Sequence, residues 1–470
     1  MTSPPQNSLT TNQLILYGLP AIAVGYMFIL LGTYVLKYST DVLLIAPAVM
    51  GTIFGLARIW DALTDPVVGY LSDRTQSRLG RRRGWLAWSI GPATAFYIML
   101  YASPEGMSVE MLTLWMGVAT FGFYTAMTAI SVPHLSLGAE FTTDSYTRNK
   151  LFGMRHAMIG VGAILALLTM AWLTSIDQQD TEKLRTASLQ AATVASVVFI
   201  LGVLATAFLF KETEPQEQSA EQLNEDNSAK DEGIYGASIK IIENPHARLL
   251  LIVYFIESIG AGALSAAALY VAQYVIGNIA IAPITIICYL VMSTVSIPLW
   301  VRVSRRMEKV SLWIITMAVA AISYGGLFLL VFMEQGIAQS GALIGLSLVS
   351  GAMSGCGHTI GPSVLSDIID DDDLKTGQRK EGAFFALYNL ANKSAHGVTI
   401  MITGFVLSEV GFIPNVEQSF IVQVALCGIL GLMPLICFAI GAALFTRFDL
   451  RTEQHAVIVR QLNERAAATR

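Results

Sequence analysis

Long apolar segments separated by short polar ones dominate the hydrophobicity pattern of this chain of 470 residues. A helix needs about 20 mostly apolar residues to cross a bilayer, and twelve segments reach that length. The pattern therefore predicts an all-α membrane protein with twelve transmembrane helices. The predicted spans are 13–36, 46–71, 85–103, 110–138, 151–174, 188–210, 249–275, 279–301, 310–333, 339–366, 382–408 and 418–446.

A polar segment, residues 211–248, divides the predicted spans into two groups of six. Its runs Glu-Pro-Gln-Glu-Gln-Ser and Glu-Asp-Asn-Ser-Ala-Lys-Asp-Glu are too polar to bury a core. We interpret the segment as a cytoplasmic linker between an N-terminal half, residues 1–210, and a C-terminal half, residues 249–446. Residues 447–470 are predicted to form a cytoplasmic tail that is too short to fold alone as a domain.

Composition indicates that the chain lies in a membrane, and the distribution of positive charge predicts its orientation there. Hydrophobic residues make up 54% of the chain and charged residues only 13%, against about 25% charged in soluble domains. With the N-terminus inside, the predicted outer loops hold only Lys37, Lys183 and Arg185 of the 29 Lys and Arg. Positive charge concentrates on the inner side of membrane proteins. We therefore expect a bacterial inner-membrane protein with both termini in the cytoplasm.

Several function classes lack support in the sequence. No basic surface stands apart from the membrane loops, which argues against a nucleic-acid partner. No GxxxxGK[ST] loop, GxSxG elbow or HExxH helix occurs, so an ion gradient is a better energy source than ATP, and an enzyme is not expected. The four cysteines form no CxxC pair that would indicate a zinc site or a disulfide framework. No cofactor is expected beyond a coupling ion.

The most informative motif is Ala57-Arg-Ile-Trp-Asp-Ala-Leu-Thr-Asp-Pro66 in the second predicted span. Asp61 and Asp65 are four residues apart and share one helix face. Charged side chains inside a membrane are costly and usually mark an ion pathway. Two carboxylates on one face suit a sodium ion, or a shared proton. The alternative is a buried structural pair, neutralised by Arg58 or Lys393.

Three further residues are candidates for the same machinery. Thr64 and Thr128 each offer a hydroxyl ligand, although residue type alone favours a helix–helix hydrogen bond for both. Lys393 lies deep in the eleventh predicted span and needs a counter-charge, which Asp61 or Asp65 could supply. Such a pair, opening when a cation binds, would couple ion and substrate. A static bridge, or a lysine that reaches to the membrane surface, is the alternative.

Two charged clusters near the inner ends of predicted spans are candidate gates. Asp73 is followed by a loop with five arginines, and Asp73 is predicted to pair with Arg81, Arg82 or Arg83. This loop alternatively serves as a topology signal that contacts anionic lipid. The run from Ser366 to Asp373 is predicted either to be a solvated acidic loop or to gate through Asp367 and Asp370. Its predicted partners are the arginine loop, Arg379 or Lys380.

Other polar residues fall within the predicted spans. Glu257 and Arg155 each line a cavity or lie near lipid headgroups. His134 and His358 are the best histidine candidates for a cavity. A lone histidine is nevertheless more often a hydrogen-bonded core residue than a proton carrier.

The motifs together resemble the glycoside–pentoside–hexuronide:cation symporter family over nearly the whole chain. The shared features are Tyr38-Ser-Thr-Asp-Val42, Arg58-Ile-Trp-Asp-Ala-Leu-Thr-Asp-Pro66, Ser77-Arg-Leu-Gly-Arg81, Pro133, Arg155, Asp367-Ile-Ile-Asp370, Lys393 and Pro414-Asn-Val-Glu-Gln-Ser419. The resemblance implies a major facilitator fold and a symporter driven by sodium or protons. It places the cation site at Asp61, Asp65 and Thr128, and the coupling lysine at Lys393.

The chain also departs from this family at its sugar site. Gly25 and Ser131 stand where a well-known sugar carrier of the family has aspartates, and Leu135 and His358 stand where it has tryptophans. The sugar site of that carrier is therefore not reproduced at the matching positions. Thr64 replaces an asparagine linked to sodium preference, which leaves sodium and proton both open.

The sequence thus predicts cation-coupled symport of a sugar, glycoside or related small solute by alternating access, in a monomer surrounded by membrane lipid. Lys393 and Arg155 are the predicted coupling residues. The predicted substrate contacts are Ser131, His134, Glu257 and His358. The alternative cargo is a lysolipid or another amphiphile, which loss of the sugar aspartates favours and the polar cavity candidates disfavour. A membrane sensor and a membrane enzyme are weaker alternatives.

Overall fold

A computed structural model describes residues 10–104, 106–141, 145–210, 240–378 and 380–468. Within these ranges the regular structure is helical and includes no strand. The helices are α1 Thr11–Asp41, α2 Pro47–Arg74, α3 Arg81–Tyr101, α4 Val109–Glu140, α5 Ser145–Ser175, α6 Thr181–Leu209, α7 Pro245–Tyr274, α8 Ile281–Val295, α9 Ile297–Val303, α10 Lys309–Phe328, α11 Ile337–Thr376, α12 Glu381–Glu409, α13 Phe420–Cys427, α14 Met433–Phe445 and α15 Thr452–Ala468. The predicted all-α class is confirmed.

Local sequence sets where these helices begin and end. Thr10 closes a capping box with Gln13 at the start of α1, and Asn244 accepts hydrogen bonds from two backbone amides at the start of α7. Such side chains satisfy amides that a helix leaves open at its N-terminus. Gly80 precedes α3 with φ of 104°, and Gly377 ends α11 with φ of 71°. Glycine adopts these conformations without strain.

Nine helices in the described ranges are long and apolar enough to cross a membrane. This number is consistent with the twelve predicted spans but does not by itself reach twelve. Two of the long helices outside the nine carry charge in their interiors. Asp61 and Asp65 lie in α2, and Lys393 lies in α12. These charged side chains lower the hydropathy of the two helices.

The chain divides into two compact units. Unit 1 comprises Met1–Ile45 and Trp60–Ala229, and unit 2 comprises Ala46–Ile59 and Lys230–Arg470. Helix α2 therefore contributes its first part to unit 2, whereas the sequence placed all of it in the N-terminal half. Most of the predicted linker, residues 211–239, lies outside the described residues, so the predicted boundaries there stay a prediction.

Glycines let neighbouring helices approach closely inside each unit. In unit 1, a Cβ atom on Gly162 of α5 would lie 1.9 Å from the carbonyl oxygen of Ile22 in α1. In unit 2, a Cβ atom on Gly351 of α11 would lie 2.3 Å from the carbonyl oxygen of Tyr289 in α8. No side chain fits at either contact. Small residues at helix interfaces are typical of membrane bundles.

The first predicted span was too short, and Lys37 does not lie in an outer loop. Helix α1 continues to Asp41, and Lys37 is 2% exposed. Its ammonium group pairs with the carboxylate of Asp41, four residues later and also buried. Thr40 donates a hydrogen bond of 2.7 Å to the same carboxylate. A lysine with a partner of opposite charge and added hydrogen bonds is tolerated inside the fold, so the helix does not need to end before it.

One predicted boundary in the C-terminal half was also wrong. Helix α11 continues ten residues past the predicted end at 366 and reaches Thr376. The predicted polar tail forms helix α15, whose Ile458 is 8% exposed. Both segments are rich in charged residues. They are helical because they partner each other, as described below.

Candidate cation and substrate sites

Asp61 and Thr128 meet inside unit 1 and form the centre of the candidate cation site. Each side chain is 1% exposed, and the Thr128 hydroxyl of α4 donates a hydrogen bond of 2.7 Å to Oδ1 of Asp61 in α2. A carboxylate removed from water requires donors or a cation. A hydroxyl oxygen and carboxylate oxygens are ligands that hard cations prefer. The donor set therefore fits a sodium ion, and the carboxylate alone fits a proton.

Asp65 and Thr64 lie beside this pair on α2. Asp65 is half-buried and follows Asp61 by one helical turn. The Thr64 hydroxyl donates a 3.0 Å hydrogen bond to the backbone carbonyl of Asp61. In this conformation Thr64 is thus engaged by its own helix, as expected when a helical threonine is not a ligand. The ligand roles of Asp65 and Thr64 stay predictions.

The predicted coupling residues fall in different units. Lys393 is half-buried on α12 of unit 2, and Arg155 is half-buried on α5 of unit 1. The Nε atom of Arg155 has no hydrogen-bond partner among the described residues. A buried guanidinium donor without an acceptor is costly. Both coupling roles remain predictions.

His134 is held in the core of unit 1 by Tyr17. Its Nε2 atom lies 2.8 Å from the carbonyl oxygen of Tyr17, and the Tyr17 hydroxyl donates a 3.2 Å hydrogen bond to the carbonyl of His134. The two ring centroids are 4.7 Å apart, and His134 is 1% exposed. This reciprocal pairing favours the hydrogen-bonded core alternative for His134. Ser131, one turn earlier, is half-buried. Substrate contact by either residue stays a prediction.

The remaining two predicted substrate contacts lie in unit 2. His358 on α11 is exposed, and its Nδ1 atom is 3.4 Å from the Ser293 hydroxyl of α8. Glu257 on α7 is 8% exposed, and the indole of Trp313 on α10 donates a long hydrogen bond of 3.4 Å to its Oε1. Oε2 of Glu257 accepts no hydrogen bond from the described residues.

Sequence reasoning missed the residues that surround Glu257. Asn392 of α12 donates hydrogen bonds of 3.2 Å to the hydroxyls of Tyr254 and Ser258 on α7. The rings of Tyr254 and Tyr388 stack at 3.7 Å with an interplanar angle of 10°. The signal was spacing, because Tyr254 and Ser258 are four residues apart, as are Tyr388 and Asn392, so each pair shares a helix face.

The predicted Asp73 pair forms with Arg82, inside unit 1. Arg82 also bonds Glu140 at the end of α4, with an Nη2–Oε1 distance of 2.6 Å, and Ser72 at 2.5 Å. Arg81 adds a 2.9 Å ion pair to Glu140, while Arg83 donates to the carbonyl of Phe210 at 3.1 Å. These bonds brace α2, α3 and α4 against one another. A gating role of this pair stays a prediction.

The acidic run at the end of α11 is not a solvated loop. Asp371, Asp372 and Asp373 are 5%, 7% and 9% exposed and belong to the helix. This expectation was wrong because hydropathy alone does not show the cations that partner a buried carboxylate.

The partners of the acidic run come mainly from residues that the sequence did not single out. Of the predicted partners, Lys380 lies 3.6 Å from Asp372, and Arg379 lies outside the described residues. The other ion pairs are Asp367 with Lys309 at 2.8 Å, Asp370 with His455 at 3.0 Å when the histidine is protonated, Asp371 with Lys375 at 2.6 Å, and Asp373 with Arg465 at 2.5 Å. Two of these cations belong to α15, which packs along the end of α11.

Comparisons with known proteins agree with this architecture. The family model described as MFS/sugar transport protein matches residues 16–452. The chain is 24% identical to the isoprimeverose transporter of Lactiplantibacillus pentosus, over 88% of this chain and 83% of that protein. It is 23% identical to the sodium-dependent lysophosphatidylcholine symporter 1-A of Danio rerio, over 92% and 84% of the two chains.

Solved structures support the fold independently. The crystal structure of a D-xylose-proton symporter superposes with a TM-score of 0.62 at 13% identity, and covers 93% of this chain and 97% of the other. Such low identity supports only the fold, which is the predicted major facilitator fold. Because the family model spans almost the whole chain, the resemblance seen in the sequence is confirmed. The chain is an integral membrane protein of the MFS/sugar transport protein family, among the glycoside–pentoside–hexuronide:cation symporters.

Proposed function

We propose that this protein accumulates a small polar solute by symport with a sodium ion or a proton that binds at Asp61, Asp65 and Thr128. The observation that carries the proposal is the contact between the buried Asp61 carboxylate and the Thr128 hydroxyl. This hydrogen bond joins α2 and α4 at a carboxylate that is able to bind a cation. Asp61 and Thr128 are also the positions at which the family resemblance implies the cation site. Transporters of this family use ion gradients and are not enzymes.

Charge compensation provides the coupling. Lys393 is the proposed coupling residue, because a lysine in a membrane-spanning helix needs a counter-charge and can exchange that partner when the ion or the solute binds. Arg155, whose Nε atom has no acceptor among the described residues, is a second candidate for the solute. Alternating access of the two halves then exposes the loaded site to each side in turn.

A sugar, a glycoside or a related small solute is the proposed cargo. The isoprimeverose transporter among the relatives supports this class. The lysophosphatidylcholine symporter keeps an amphiphile as the alternative cargo and favours sodium as the ion. Polar groups in unit 2, above all the buried Glu257 and the half-buried Asn392, favour the polar solute, since an acyl chain offers them no hydrogen bond.

The setting of the protein completes the proposal. We place it in the inner membrane of a bacterium as a monomer among lipids, with both termini in the cytoplasm. In this orientation the Asp73–Arg82–Glu140 cluster and the ion pairs of α11 face the cytoplasm and form the inner gate of their respective halves. The basic loop after α2 is then close to anionic lipid headgroups.

Reconstituted vesicles with an imposed sodium or proton gradient test the proposal. We expect gradient-driven uptake of at least one labelled sugar or glycoside, and its loss in Asp65→Asn. The matched control is Asp177→Asn, because Asp177 is exposed in the loop after α5. Uptake that is independent of both gradients, or that survives Asp65→Asn unchanged, would refute cation coupling at this site.

A further inference from the structure

Four helices of unit 2 surround one buried carboxyl group that lacks a full set of partners. Glu257 of α7 receives only the 3.4 Å bond from Trp313 of α10, and its Oε2 accepts none within the described residues. It forms no ion pair with a basic side chain in that part of the chain. Leaving a carboxyl oxygen buried and unbonded costs several times the net gain of an ordinary hydrogen bond. A fold that retains such a group commonly uses it for a ligand.

Glycines let helix α11 approach the carboxyl group of Glu257 closely. A Cβ atom on Gly357 of α11 would lie 2.9 Å from Oε1 of Glu257 and 3.3 Å from Nε1 of Trp313. A Cβ atom on Gly361, one turn later, would lie 2.3 Å from the hydroxyl of Tyr388. Two glycines on one face of α11 therefore leave the carboxyl, the indole and the phenol uncrowded by that helix.

Hydrogen-bonding groups and rings adjoin the carboxyl group. Ser258 directly follows Glu257 on α7, and the amide of Asn392 on α12 donates a 3.2 Å hydrogen bond to the Ser258 hydroxyl. Tyr289 of α8 donates a 2.9 Å hydrogen bond to Ser354 of α11. Tyr254, Tyr289 and Tyr388 are all close enough to Glu257 to interact with it electrostatically. The cluster thus combines an open acceptor, exchangeable donors and aromatic surface.

A carboxyl acceptor, hydrogen-bond donors and aromatic rings in one cluster favour a ligand that carries several hydroxyl groups. An alcohol donates directly to a carboxyl oxygen, and neighbouring hydroxyls engage Asn392 and Ser258 at the same time. Sugars also pack their apolar C–H faces on aromatic rings. A lysolipid chain would leave the polar groups unbonded. An organic cation would satisfy Glu257 and the rings, but it would leave the amide and hydroxyls without new partners.

We propose that Glu257, with Trp313 and Asn392, is a hydroxyl-recognition subsite for a neutral polyhydroxylated solute, in the half of the chain opposite to the family's sugar aspartates. The proposal rests on the transport function above and deepens it. Gly25 and Ser131 replace the aspartates of a known sugar carrier, and Leu135 and His358 replace its tryptophans. The proposal assigns the missing hydrogen-bond acceptor and aromatic surface to residues of unit 2.

The test is a deoxy-analogue scan on full-length protein in proteoliposomes and in detergent. Equilibrium dialysis and uptake are measured for the best-bound labelled saccharide and for analogues that each lack one hydroxyl, in wild type, Glu257→Gln, Glu257→Asp and the exposed control Glu409→Gln. A site built to bind a hydroxyl rejects the analogue that lacks it. We expect one analogue to bind at least tenfold more weakly than the parent sugar in wild type and in Glu409→Gln.

In Glu257→Gln that penalty should shrink to under threefold, and Glu257→Asp should restore part of it. Equal penalties in wild type and Glu257→Gln, or binding of choline or lysophosphatidylcholine in preference to every saccharide, would overturn the subsite. A purely structural role predicts equal weakening for all analogues, which also counts against the proposal. The dependence of uptake on the cation gradient is measured separately. If the analogue scan contradicts the subsite but uptake still follows the gradient, the proposed transport function is unaffected.

Discussion

Asp61 of unit 1 and Glu257 of unit 2 are both buried carboxyl groups on long helices, at 1% and 8% exposure, yet their surroundings differ. Asp61 accepts a 2.7 Å hydrogen bond from a threonine on another helix. Glu257 accepts a 3.4 Å bond from an indole and leaves one oxygen unbonded in the described structure. Burial alone therefore does not define a role. A well-partnered carboxylate with oxygen neighbours suits a small ion, and a poorly partnered one suits a ligand that brings its own donors.

The largest expected effect comes from removing the charge of Asp61. Asp61→Asn keeps the shape of the side chain but loses the charge that attracts a cation. Asp61 and a bound cation would form a buried charge pair, and removing one member of such a pair typically costs about 3–5 kcal/mol, so we expect at least about a 100-fold loss of gradient-driven uptake. Vesicle uptake at a fixed gradient measures it, with Asp177→Asn as control. Uptake within threefold of wild type would show that Asp61 does not bind the ion. The proposed difference in role between Asp61 and Glu257 would then be wrong.

Crowding Glu257 should produce the second largest effect. Gly357→Ala places a methyl group 2.9 Å from Oε1 of Glu257, and overpacking of this kind costs about 1–3 kcal/mol. We expect about a tenfold rise in the solute Kd with the cation affinity unchanged. Gly345→Ala is the matched control on the same helix, because a Cβ atom at Gly345 would meet nothing within 4 Å. Alanine there should raise stability by about 0.5–1 kcal/mol. Equal solute affinity in both variants would contradict a ligand site at Glu257.

Removing the Thr128 hydroxyl should have a smaller effect, confined to the ion. Thr128→Val preserves shape and removes the donor to Asp61, at a net cost of about 1 kcal/mol. We expect about a fivefold rise in the cation concentration for half-maximal uptake, and an unchanged deoxy-analogue pattern. Thr120→Val is the control, since the buried Thr120 hydroxyl donates a 2.7 Å hydrogen bond to Met116 of its own helix. A matching shift in the control would show that the effect is a packing defect.

The smallest expected effect concerns a carboxylate outside the spans that is fully partnered. Burial raises the pKa of Glu308, but hydrogen bonds from the backbone amides of Ser311 and Val310 and from Arg451 outweigh it, so the pKa lies below its ordinary value. The Arg451–Glu308 ion pair, at 2.9 Å and partly exposed, should contribute about 0.5 kcal/mol.

A lowered carboxyl pKa stabilises the folded state at neutral pH, and this contribution is lost as the pH falls from about 4.3 through the lowered value. Amide hydrogen exchange in α15 should therefore accelerate slightly in Arg451→Ala at pH 7. At acidic pH, wild type and Arg451→Ala should converge. Exchange rates that stay apart at acidic pH would show that Arg451 holds α15 through another contact.

The sequence was a good guide to whatever follows from hydropathy or helical spacing. Apolar runs located the long helices, and the four-residue spacing of Asp61 and Asp65 located the candidate ion site. The missed features depend on contacts between distant segments. Trp313 is a hydrophobic residue by composition, and only the fold shows its indole against Glu257. Likewise, a solvated loop was one of two interpretations of residues 366–373, because two of their partners, His455 and Arg465, lie more than 80 residues away in α15.

The docking of α15 on the end of α11 has a consequence for biosynthesis. His455 and Arg465, which pair with Asp370 and Asp373, leave the ribosome more than 80 residues after those aspartates. Chains grow at about 5–20 residues per second and fold from the N-terminus onward. Arg82, Asp73 and Glu140 of unit 1 are all present before most of unit 2 is synthesised, whereas Asp370 and Asp373 of α11 wait for α15. A truncated or stalled chain therefore carries unmatched aspartates that quality-control proteases can distinguish from the finished protein.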